Sequence, residues 1–137
     1  MLQITTAGLL AVGGIAIGAP SASAAATCPQ TKLCVYENYG FTGSMAIIEG
    51  LSQPRSKVTD FRSLHFYNGT PVNDRISSVV NNTNTTVLLF VGIGASTEGS
   101  GESVLFYPGA RISLSDSRSL ASLNDTFSSG ISGNPPG

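Results

Sequence analysis

Asn73-Asp74-Arg75-Ile76-Ser77-Ser78 and Asn124-Asp125-Thr126-Phe127-Ser128-Ser129 are two copies of one polar hexamer. In each, Asn-Asp is followed by two variable residues, the second large and apolar, and then by Ser-Ser. A segment repeated in this way implies two copies of one structural unit. This constrains the fold more than any bulk property, because the two halves of the chain must then carry the same succession of elements.

The segments around the hexamers read as that succession. Lys32-Leu33-Cys34-Val35-Tyr36-Glu37 is β-branched and aromatic, hence a strand, and Ser44–Glu49 is its hairpin partner across a turn containing Gly40 and Gly43. A longer connection, Gly50–Ser63, leads to a short strand at Leu64–Tyr67, then to the first hexamer and a strand at Ser78–Asn81. After the linker Asn82–Asn84 the cycle restarts. Thr85–Val91 and Ser103–Tyr107 flank a Gly/Ser-rich loop, Gly92–Gly101. Arg111–Leu114 alternates, Ser115–Leu123 is polar with room for one helical turn, and the second hexamer runs into Ser129–Ser132. Each half is hairpin, strand, hexamer, strand, which is the pattern of a Greek key. Neither half can bury its apolar face alone, so the expected fold is all-β, a sandwich of two Greek keys. One domain over residues 28–132 is expected, with the keys at about 28–82 and 83–132 and a frayed tail at 133–137. Ile76 and Phe127 are expected to point inward, with Val80 and Ile131 continuing the buried face. Tyr36, Phe41, Phe90 and Phe106 read as core aromatics.

The N-terminus has a different character. Leu9–Ala19 is apolar and Gly-rich, and Pro20 and a run of Ser and Ala follow. An apolar core followed by Ala22-Ser23-Ala24 reads as a signal peptide, residues 1–24, with cleavage after Ala24. The apolar run is short for a bilayer span; a retained anchor is the competing reading, and no Lys or Arg precedes the run. Export places Cys28 and Cys34, the only 2 cysteines, in an oxidising compartment, where they are expected to form a short-loop disulfide. A two-cysteine metal site is the weaker alternative, since the single His65 is remote in sequence. The net charge of -1 and the absence of any Lys/Arg run argue against a nucleic-acid partner. No Ser-His-Asp or Cys-His set and no evident carboxylate pair suggests an enzyme.

Tyr36-Glu-Asn-Tyr-Gly-Phe41-Thr-Gly43 matches the Tyr-x4-Phe-x-Gly hairpin of the βγ-crystallin superfamily, and both hexamers match its Asn/Asp-Asn/Asp-x-x-Ser/Thr-Ser calcium motif. Within that superfamily the chain, from Cys28-Pro-Gln-Thr-Lys-Leu-Cys34-Val-Tyr-Glu-Asn onward, resembles small secreted bacterial proteins grouped with a metalloproteinase inhibitor. The resemblance implies one or two calcium ions held between the keys. Carried over, Asn124, Thr126 (carbonyl) and Ser128 pair with Glu37 in a better site, and Asn73, Arg75 (carbonyl) and Ser77 pair with the Gly92–Gly94 region in a weaker one. The chemistry is consistent, because calcium takes oxygens from carboxylates, amides, hydroxyls and carbonyls. The second half departs from the pattern. Phe90 can stand for Tyr36, but Gly92–Gly101 has no aromatic partner, and a looser hairpin is expected there.

Other readings stay open on the sequence alone. The hexamer also suits an Asx or Ser turn that starts a strand with no metal, and Glu37 suits an edge-strand charge. The resemblance implies a secreted, non-catalytic calcium-binding module working as a monomer and leaving the membrane after signal cleavage. The alternative is a proteinase inhibitor with an extracellular protease as partner, presenting Gly50–Ser63 or Gly92–Gly101.

Overall fold

Eight short strands pair into two antiparallel sheets in the computed structural model, which describes residues 26–134. The expected signal peptide and the last three residues of the expected tail lie outside the described residues. In chain order the strands are β1 (Leu33–Asn38), β2 (Thr42–Ile47), β3 (Lys57–Val58), β4 (Ser78–Asn81), β5 (Val87–Phe90), β6 (Ser103–Phe106), β7 (Arg111–Ser113) and β8 (Ser129–Ser132). One helical turn, α1 (Arg118–Ala121), lies before the second hexamer, with the Ser117 side chain accepting from the Leu120 N–H at its start.

The first sheet runs β2-β1-β4-β7 and the second runs β3-β8-β5-β6. Each sheet therefore takes three strands from one key and the third strand of the other. β3, from the first key, pairs Lys57 with Ile131 and Val58 with Gly130 on β8. β7, from the second key, pairs Ile112 with Val79 on β4. The two-key sandwich expected from the repeat is present, all-β, with its third strands exchanged.

Two expectations are corrected. The third strand of the first key is Lys57–Val58, inside the connection, and Leu64–Tyr67 forms only a single bridge, His65 to Pro71. Asn68 and Gly69 turn this segment back on itself, with Phe66 N–H donating to Thr70 O (2.8 Å) and Val72 N–H to Leu64 O (3.0 Å). Pro71 has no N–H with which to extend a ladder. Phe66 is buried there, while His65 and Tyr67 are exposed. The second correction is one of register. Side chains alternate along a strand, and the residues entering the core after the hexamers are Val79 and Gly130. Val80 lies on the outer face under the disulfide, and Ile131 is half-buried.

The main core lies between the sheets, where Val35, Val79, Val87 and Leu89 meet Phe106 and Phe127. Phe106 and Phe127 meet edge to face at 6.4 Å. Ile76 and Phe127, the apolar residues of the hexamers, are both fully buried, as expected. A second, smaller cluster covers the outside of the first sheet and contains Cys28, Cys34, Tyr36, Met45 and Val80. Cys28 and Cys34 form the expected disulfide, with Cα atoms 5.8 Å apart. It fastens the segment before β1 over that face.

Candidate functional site

Each hexamer leads directly into the fourth strand of its key, and the two hexamers face each other. The second residue of each copy adopts a left-handed backbone, φ 58° at Asp74 and 61° at Asp125. Asp tolerates this conformation better than most residues. The bend turns each aspartate toward the opposite hexamer. Asp74 N–H donates to Phe127 O (3.0 Å), and Asp125 N–H donates to Ile76 O (3.1 Å). The side chains repeat the exchange, since Ser128 Oγ donates to Asp74 Oδ1 (2.9 Å) and Ser77 Oγ to Asp125 Oδ1 (3.2 Å). Two similar clusters result, each built from an aspartate of one key and a serine of the other.

The fifth-position serines also tie each cluster to the first strand of their own key. Ser77 N–H donates to Tyr36 O (2.9 Å), and Ser128 N–H donates to Phe90 O (2.8 Å). The sequence grouped Glu37 with Asn124, Thr126 and Ser128, but the hydrogen bonds set Ser77 and Asp125 beside Tyr36, the residue before Glu37. They set Ser128 and Asp74 beside Phe90, two residues before Gly92. The reason is topological: β4 lies next to β1, and β8 next to β5. Glu37 is half-buried, and its Oε1 accepts from Asn68 Nδ2 at 3.0 Å. The Gly92 carbonyl accepts from Ser129 Oγ at 2.6 Å.

The first residues of the hexamers are the chemically unusual ones. Asn73 Oδ1 and Asn124 Oδ1 are both buried, and neither has a hydrogen-bond partner among the described residues. Leaving a buried acceptor unpaired costs about 1–3 kcal/mol, and here the cost occurs twice, at equivalent positions. The Arg75 and Thr126 carbonyls accept no backbone hydrogen bond among the described residues either. Amide, carbonyl, hydroxyl and carboxylate oxygens gathered at a loop fit a hard cation such as calcium. No trio of His, Cys, Asp and Glu side chains among the described residues could hold a metal, so the donor set does not resemble a zinc centre.

Sequence reasoning passed over two pairs of residues. Asp74 and Asp125 supply the only carboxylates of the hexamers, and their signal was the acid shared at the second position. Ser78 and Ser129, at the sixth position, each clamp a folded hairpin. Ser78 Oγ accepts from Phe41 N–H (3.0 Å) and donates to Asn38 O (2.7 Å). Ser129 Oγ accepts from Ala95 N–H (3.0 Å) and donates to Gly92 O. Phe41 and Ala95 both have positive φ, 62° and 52°, so Ala95 stands where the aromatic of the first hairpin stands. The looseness expected of Gly92–Gly101 is corrected by this clamp and three further bonds. Gly94 N–H donates to Thr59 O (2.7 Å), Gly92 N–H to Ser100 O (2.7 Å), and Ser100 Oγ to Ile93 O (2.7 Å). Serine hydroxyls brace the loop where an aromatic ring is missing. Ile93 projects from it, 51% exposed.

Residues 21–104, more than half of the chain, match the model of peptidase inhibitor family I36. Solved structures share the fold. A βγ-crystallin domain from work on the evolution of the eye-lens fold is 21% identical with a TM-score of 0.59, covering 82% of this chain and 95% of that one. A βγ-crystallin from Ciona intestinalis is 24% identical with a TM-score of 0.52, covering 74% and 98%. The N-terminal domain of Protein S is 19% identical with a TM-score of 0.52, covering 77% and 99%. At these identities the likeness is one of fold, and it makes the sandwich βγ-crystallin-like. No curated protein matches this chain.

Proposed function

The chain belongs to peptidase inhibitor family I36, and from that premise we propose that it is an extracellular, non-catalytic module whose paired hexamers bind calcium. One observation carries the reading: the buried, unpartnered Asn73 Oδ1 and Asn124 Oδ1 at equivalent places beside the Asp74–Ser128 and Asp125–Ser77 pairs. Asn124, Asp125, Thr126 and Ser77 would hold one ion with Glu37 near by, and Asn73, Asp74, Arg75 and Ser128 the other, on the Gly92 side. Calcium would supply positive charge between oxygens contributed by both keys and so lock the keys together. The disulfide favours an oxidising compartment outside the cell.

A ligand bound only by the folded state stabilises it by about 2.7 kcal/mol at a hundredfold excess over Kd. Calcium titration by calorimetry, with melts in calcium and in chelator, tests the reading. A raised midpoint in calcium is expected. No heat of binding and an unchanged midpoint would sink it. Because Glu37 adds a carboxylate on the Ser77 side, Ser77→Ala should weaken the tighter site and Ser128→Ala the other. Equal effects of the two variants on both sites count against that assignment.

A second reading, protease inhibition, is favoured by the bracing of Gly92–Gly101. An inhibitor gains affinity from a loop already held in its bound shape, and this loop presents exposed Ile93 between hydrogen-bonded neighbours. The check is inhibition of thermolysin-like and subtilisin-like proteases by the purified protein and by Ile93→Ala. At least a tenfold loss of inhibition with an unchanged melting temperature is expected. Equal inhibition by the variant places the contact elsewhere.

A further inference from the structure

A cavity of about 320 Å³ opens on the outer face of the first sheet, bordered by Tyr36, Phe41, Cys28, Asn82 and Arg111. The strand register accounts for this grouping. Val80 pairs with both Cys34 and Arg111, so Arg111 stands on the same face as the disulfide. Its guanidinium carbon lies 4.0 Å from the centre of the Phe41 ring. Phe41 in turn meets Tyr36 edge to face, with ring centres 6.0 Å apart. The walls are fixed by hydrogen bonds. The Tyr36 hydroxyl donates to Ala26 O (2.8 Å), and the Asn82 side-chain amide donates to the carbonyls of Cys28 (3.0 Å) and Pro29 (3.2 Å).

Among the described residues, Arg111 is the one charge that faces this cavity. No Asp or Glu among them lines it, and the ion pairs among them are Lys32–Glu49 and Arg62–Asp60, neither involving Arg111. Stacking on Phe41 holds the guanidinium in place, and its planar fork of donors suits a carboxylate. We propose that this cavity binds a small organic acid, its carboxylate on Arg111 and its flat apolar body against the partly exposed Phe41, which Tyr36 backs from below. Ligand pockets run from about 300 Å³ upward, so the acid is about the size of one ring with its carboxylate. Burial raises the Tyr36 phenol above its ordinary value, and the neighbouring Arg111 charge pulls against that rise. The site uses none of the hexamer oxygens and stands independently of the calcium reading.

The test is a titration of the disulfide-bonded protein with benzoate, followed by amide NMR, with benzamide as the neutral match in shape. Saturable shifts at Phe41, Val80, Gly109 and Arg111 are expected in the millimolar range, with benzamide at least tenfold weaker. Arg111→Gln should lose at least tenfold in benzoate affinity while still melting cooperatively, with its midpoint lowered only by the loss of the stacking on Phe41. Arg111→Lys, which keeps the charge but not the fork, should fall between. Absence of saturable shifts, equal binding of benzamide, or undiminished binding by Arg111→Gln overturns the proposal. Should Arg111→Gln fail to fold, the benzamide comparison and Arg111→Lys decide it.

Discussion

Gly130 stands where the first key has Val79, and the difference is steric. A Cβ at Gly130 would lie 2.6 Å from Leu51 Cδ1 and 2.8 Å from Leu89 Cδ2. Gly130→Ala should therefore overpack the core and destabilise the protein by about 1–3 kcal/mol, read as a lower urea midpoint; an unchanged midpoint means that Leu51 and Leu89 have room to move. Tyr36 gives a pH-dependent expectation. Its phenol is raised above its ordinary value of 10.0, chiefly by burial. The native state then holds the proton to a higher pH than the unfolded chain does. Its contribution is full below pH 10 and falls as pH rises through the folded value. Melts across the alkaline range should show this fall, and Tyr36→Phe should remove the part due to this residue. At the same scale, the hexamers were legible as a repeat of donors, but Asp74 and Asp125 were not legible as its cross-links. An acid in second place looks like any turn residue until the left-handed backbone aims it at the other copy.

At the scale of elements, the junction between the keys rests on Asn81, fully buried at the end of β4. Its Nδ2 donates to the carbonyls of Thr85 (2.9 Å), Phe106 (2.9 Å) and Tyr107 (3.2 Å), and its Oδ1 accepts from Thr83 N–H (3.0 Å) and Oγ1 (2.6 Å). Asn81→Ala strands several of these groups, each costing about 1–3 kcal/mol when buried without a partner. It should lower stability more than Asn84→Ala, which removes an exposed side chain; equal urea midpoints for the two would contradict this role. Reducing the disulfide frees the short loop before β1 and should cost about 2 kcal/mol on the chain-entropy model, seen as a lower melting temperature in reductant. The strands rich in β-branched and aromatic residues were legible, β4 and β8 at their expected ends. β3 was not, because two residues carry no period, and what makes them a strand is the edge of β8 alongside. Leu64–Tyr67 misled in the opposite direction: it alternates like a strand, yet a turn and Pro71 leave it without a ladder.

At the scale of the whole molecule, the repeat made the two-key sandwich legible, but not the exchange of third strands. That exchange depends on which sheet edge each short strand reaches, and no local pattern records it. With β3 completing the second sheet and β7 the first, neither key holds a finished sheet. Residues 28–82 and 83–134 produced separately should each melt without a cooperative transition, and mixing them should restore one. A half that melts cooperatively alone would contradict the interdependence. The segment between the halves, residues 82–86, thereby takes on a particular role. It is the tether of what is otherwise a dimer of two swapped halves, and it holds each half at a local concentration in the millimolar range for its partner. Cutting it turns a unimolecular folding reaction into a bimolecular one. The uncut chain, refolded at high protein concentration, can likewise satisfy its keys with those of a neighbour and close into a swapped dimer.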